Sequence, residues 1–74
     1  MGAVIPFITV KWRDRESGRV LFLPGKREYI KKSEEKLREL GYKIVPLNTN
    51  DQPDYKVVRI KDGKELDIIG YLVP

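Results

Sequence analysis

KREYIKKSEEKLRELG, residues 26–41, is where the chain changes period. With each residue advancing roughly 100 degrees, Tyr29, Ile30, Ser33, Leu37 and Leu40 fall on one arc, and the remaining positions are mostly charged. Glu28 with Lys32, Lys31 with Glu35, and Glu34 with Arg38 stand at i,i+4, where opposite charges support a helix. Gly41 follows Leu40 where a left-handed residue would close it. The spacing predicts a helix from Lys26 to Leu40.

On either side the pattern is that of strands. Val4 to Trp12 is rich in β-branched and aromatic residues, with Ile8, Val10 and Trp12 on one face. The stripe shared with Ile8 and Val10 points Trp12 into a core rather than onto a partner's base. Arg19 to Leu23 is a second apolar run, ending at Pro24-Gly25, and the intervening Asp14, Ser17 and Gly18 suit a hairpin tip. Tyr42 to Leu47 reads as a third strand and Tyr55 to Lys61 as a fourth, with the loop NTNDQPD between them. Asp62-Gly63 is a turn signal, so Glu65 to Val73 is expected to return antiparallel as a fifth strand. The order β-β-α-β-β-β predicts one small α+β domain over residues 1–74, a mainly antiparallel sheet with one helix packed on one face. This order suits a β-grasp-like arrangement. It also resembles, in element order alone, three-stranded-sheet DNA binders such as the plant AP2 type.

Composition narrows the function. There is no cysteine and no histidine, which removes disulfides, thiolate metal sites and the commonest general base. Ser17 and Ser33 have no evident activating base nearby in the pattern. Pro53-Asp54 with Asp62-Gly63-Lys64 resembles the PD…(D/E)xK pattern of a nuclease superfamily, but these last three residues occupy a turn where that family has a strand. Asn48, Asn50, Asp51 and Asp54 lack the spacing of an EF-hand loop. A non-catalytic protein without metal or cofactor is therefore expected. The AVIPFITV stretch is too short to span a bilayer and lacks the form of a signal peptide, which with the absent cysteines suggests a cytoplasmic protein. The plentiful Lys, Arg and Glu, with few Asn and Gln, give a thermophile-like composition.

The formal charge is +4. Residues 11 to 32 hold eight basic residues against three acidic ones, a net +5, while residues 33 to 40 carry −1 and residues 41 to 74 balance. This asymmetry points to an anionic partner. The expected function is a nucleic-acid-binding module for DNA or RNA, contacting phosphates with Arg13, Arg15 and Arg19 at the hairpin tip and with Lys26, Arg27, Lys31 and Lys32 at the start of the helix. The alternative is a small protein-interaction module or regulator, viral or plasmid-borne, acting through a strand edge or apolar patch as a homodimer. LDIIGYLV at residues 66–73, apolar on both faces, favours that alternative.

Overall fold

A computed structural model gives the fold, described over residues 8–73. Five strands form, β1 Thr9–Arg13, β2 Val20–Pro24, β3 Tyr42–Pro46, β4 Tyr55–Arg59 and β5 Asp67–Leu72, with one α-helix, α1, at Glu34–Glu39. The expected α+β class and element order hold. The part of the first strand expected over residues 4–7 lies outside the described residues.

The strands make two sheets rather than one. β1 is the centre of a three-stranded antiparallel sheet ordered β2-β1-β5, and β3 pairs with β4 in a two-stranded sheet. The Asp62-Gly63 turn forms, with Gly63 at φ 69° and its N–H donating to the Arg59 carbonyl at 2.8 Å. The return against β4 is only two residues deep, however. Val58 bridges Glu65 and the Leu66 N–H donates to the Val57 carbonyl at 2.9 Å, after which the chain crosses to β1. A register shift at Lys11/Trp12 puts an extra residue into β5. The segment of residues 65–72, bonded first to β4 and then to β1, therefore ties the two sheets together instead of completing a hairpin with β4.

The helix is the largest departure from the expected pattern. Over residues 27–33 the chain makes two 3-10 turns, Arg27–Tyr29 and Lys31–Ser33, held by bonds to the third residue back, such as Ser33 N–H to the Ile30 carbonyl at 2.6 Å. Tertiary bonds fix this path: the Arg27 N–H donates to Asp54 Oδ1 at 2.8 Å, and its guanidinium to the carbonyls of Leu47 and Asp54. Only Ile30 and Leu37 of the expected stripe are buried, while Tyr29 and Leu40 are exposed. None of the three expected i,i+4 ion pairs forms among the described residues. Gly41 closes the helix as expected, at φ 94°, its N–H on the Arg38 carbonyl at 2.9 Å. The helix packs against β3.

The core lies where the two sheets and the helical segment meet, built of Val10, Trp12 and Leu23 from one sheet, Tyr42, Tyr55 and Val57 from the other, and Ile30, Leu37 and Leu66. Trp12 is buried, its ring 5.4 Å from that of Tyr55, and its Nε1–H donates to the Tyr55 hydroxyl at 3.2 Å. That hydroxyl donates in turn to the Pro24 carbonyl at 2.6 Å, so a phenol wholly out of water is satisfied on both sides. Burial pushes the Tyr55 pKa up to about 12, against the opposing effect of the Trp12 hydrogen bond. No helix among the described residues is long and apolar enough to cross a membrane.

Candidate nucleic-acid interface

Local chemistry fixes the hairpin tip. The Asp14 N–H donates to the Arg19 carbonyl at 2.9 Å and the Gly18 N–H to the Asp14 carbonyl at 2.7 Å, with Gly18 at φ 76°. Side chains brace the same turn, since Asp14 Oδ1 accepts the Glu16 N–H and Ser17 Oγ accepts the Arg19 N–H.

The acids of the tip turn inward or towards the β4–β5 turn. Asp14 is only 4% exposed, and it accepts from the Tyr42 hydroxyl at 2.7 Å and from Arg59 Nη1 at 2.6 Å. Burial acts to raise its pKa, but the hydrogen bonds from Tyr42 and the Glu16 amide, with the Arg59 charge, outweigh it and hold the carboxyl below its ordinary value. Arg59 is itself buried and forks onto both oxygens of Asp62, at 3.2 and 2.8 Å. Glu16 pairs with Arg59 at 3.2 Å and with Lys61 at 2.9 Å. The hydrogen bond from Lys61 leads in lowering the Glu16 pKa, and that from Arg59 does the same for Asp62. Asp14 and Glu16 are therefore engaged with cations from beyond the tip, not with the arginines beside them in sequence.

This arrangement sorts the expected contact residues. Arg13 and Arg19 are exposed and have no ion-pair partner among the described residues. Arg15, in contrast, is bound to Asp67 at the start of β5. Lys26, Arg27, Lys31 and Lys32 do not join the tip: β2, five residues and about 17 Å long, stands between Arg19 and Lys26. Arg27 is committed to the Asp54 loop, while Lys31 and Lys32 are exposed on the second 3-10 turn. The helix begins at Glu34, with Glu34 and Glu35 in its first turn, where acids complement the positive end of its dipole. The segment resembling the nuclease pattern is used structurally, Asp54 on the Arg27 N–H and Asp62 on Arg59.

What the fold brings to the tip comes from elsewhere in the chain. A cleft of about 500 Å³ is lined by Arg19, Arg38, Arg59 and Lys61 together with Asp14, Ser17 and Tyr42, and by the apolar Leu40, Gly41 and Ile60. Arg59 is taken up by Asp14, Glu16 and Asp62 and Lys61 by Glu16, leaving Arg19 and Arg38 as the lining cations without an acidic partner among the described residues. Arg38 has no ion-pair partner among the described residues. Leu40 and Ile60, 38% and 50% exposed, offer an apolar surface between the cations. Position follows from the fold: Arg38 rides the last turn of α1, and the Ile60 N–H on the Gly41 carbonyl at 2.9 Å draws the end of β4 beside the helix end. On the other side of the tip, a cleft of about 620 Å³ has the opposite character, its Arg15, Arg59 and Lys64 faced by Asp14, Glu16, Glu65 and Asp67. The first cleft is the one suited to an anion.

Sequence reasoning missed Arg38, Lys61 and the apolar pair. Among the described residues no group of three or more acidic side chains is arranged to hold a metal ion. No family model, no curated protein and no solved structure matches this chain.

Proposed function

We propose that the protein is a non-catalytic nucleic-acid-binding module whose interface is the cleft between the hairpin tip and the end of α1. Arg19 and Arg38 contact phosphates, while Lys61, already paired with Glu16, and Arg13, exposed on β1 outside the cleft, add to the general field. Guanidiniums engage phosphate oxygens in pairs, and Leu40 with Ile60 supplies an apolar surface for the edge or face of a base. The observation that carries this reading is the convergence of two unpaired arginines, Arg19 and Arg38, distant in sequence, on one cleft while the acids of the same hairpin are held by Arg59 and Lys61. Lys31 and Lys32, on the far side of β2, contribute only to the general field.

The test is binding of a mixed-sequence single-stranded oligonucleotide by fluorescence anisotropy across a salt series. Each phosphate contact contributes about 0.7 to the slope of log affinity against log salt. An Arg19→Ala/Arg38→Ala variant is expected to weaken binding at low salt and to flatten the slope by about 1.4. A Lys31→Ala/Lys32→Ala variant is expected to retain the slope. Equal loss in both variants would assign the affinity to net charge alone.

A further inference from the structure

The cleft at the hairpin tip does not end at Ile60. A second, smaller cleft of about 200 Å³ is lined by Glu34, Leu37, Arg38, Lys43, Ile44 and Ile60. Arg38 and Ile60 line both clefts, so the two form one groove that runs from the hairpin tip past the end of α1 to β3. Ile60, 50% exposed, is the ridge between them.

Cations and apolar side chains share this groove. Arg19 and Arg38 line the end at the tip, and β3 adds Lys43, which is exposed and has no ion-pair partner among the described residues. Leu40, Ile60 and the partly buried Ile44 supply the apolar surface. The one acid of the second cleft, Glu34, stands a turn before Arg38 on α1. The polar groups that could read a base edge are already engaged. The Tyr42 hydroxyl donates to Asp14, Asp14 also accepts from Arg59 and the Glu16 N–H, and Ser17 Oγ accepts the Arg19 N–H. Neither Asn nor Gln, the side chains that pair with two atoms of adenine, lines either cleft among the described residues.

We infer that the groove takes a single strand of nucleic acid, with Lys43 as a further phosphate contact, and holds it with little regard to base identity. The inference rests on the reading of the first cleft as a phosphate site and adds the class of strand it accepts. Charge selects a polyanion, because Arg19, Arg38 and Lys43 reach one groove from three segments of the chain. The apolar surface between them selects an unpaired one. A free base has a face to lay on Leu40, Ile60 and Ile44, whereas in a duplex that face is stacked on its neighbours and only phosphates and groove edges are offered. Aliphatic contact is alike for every base, and the polar groups beside it are spent, so sequence goes unread.

Anisotropy titrations in one salt concentration, using deoxyadenosine, deoxycytidine and thymidine homopolymers and a mixed-sequence duplex of the same length, test the inference with the wild-type protein. The single strands are expected to bind at least about tenfold more tightly than the duplex and to agree with one another within about threefold. Lys43→Ala is expected to flatten the salt slope for a single strand by about 0.7. Leu40→Ser/Ile60→Ser, at two exposed positions, is expected to weaken single-strand binding about tenfold while the salt slope and the duplex affinity hold. A duplex bound as tightly as the strands, a preference above about tenfold for one homopolymer, or an unchanged slope in Lys43→Ala would each overturn the inference and leave the phosphate reading of the first cleft standing. No binding of any of these probes would overturn both.

Discussion

Asp14 shows how a single residue changes meaning between sequence and structure. In the sequence it dilutes the charge of Arg13 and Arg15; in the fold it is a buried acceptor for Tyr42 and Arg59 that anchors the hairpin tip to both strands of the second sheet. Its carboxyl, with those of Glu16 and Asp62, titrates below its ordinary value of 3.8 or 4.5. The unfolded chain therefore binds protons more readily than the native one in acid. This contribution to stability is complete above the unfolded values and disappears as pH falls from about 5 through 4 and below. The thermal midpoint of the wild-type protein is expected to drop steeply across that window. Asp14→Asn, which removes the charge facing Arg59, is expected to lower the midpoint at pH 7 and to make the acid limb shallower. A variant whose limb matches the wild type would show that Asp14 is not among the groups responsible. Trp12, by contrast, was legible at this scale, because its alternation with Val10 and Ile8 is a property of the strand alone.

At the scale of elements, strands and turns could be read from the sequence because their determinants are local: Gly18, Gly41 and Gly63 all adopt positive φ, at 76°, 94° and 69°. The segment from Lys26 to Ser33 could not. Its apolar spacing satisfies a helical period, but its conformation is decided by Asp54, 27 residues from Arg27, and by the Leu47 carbonyl. The partner of β5 was hidden for the same reason, since alternation within a strand does not say which neighbour it joins. Gly25 marks the junction where these elements close on one another. Its N–H donates to the Ile8 carbonyl and its carbonyl accepts from Asp54, and a Cβ there would stand 2.5 Å from Gln52 Oε1 and 2.6 Å from Ile8 Cγ1. Gly25→Ala is expected to cost about 1–3 kcal/mol by forcing these neighbours apart, measured by urea unfolding. A cost below about 0.5 kcal/mol would mean that the close approach is not a constraint.

For the whole molecule, the cleft explains why counting charge along the chain located the interface only in part. The count found the tip, with its Arg19, because residues 11 to 32 carry the excess. It passed over Arg38 and Lys61 because the segments that hold them are acidic or balanced overall. The fold separates what the count combined, sending Glu16 and Asp62 to Arg59 and leaving Arg19 and Arg38 without acidic partners among the described residues. It also parts the tip from Lys31 and Lys32 by the length of β2. Segment charge measures composition; a phosphate responds to the cations within a few ångströms of it.

The most direct test of the proposed interface is a titration of the isotopically labelled protein with a short oligonucleotide, followed by amide chemical shifts in dilute salt. The expected shifts fall on Ser17, Arg19, Arg38, residues 40–42 and residues 60–61, which line the cleft, and leave residues 31–32 little changed. Shifts centred on residues 26–32, or no shifts at all, would contradict it.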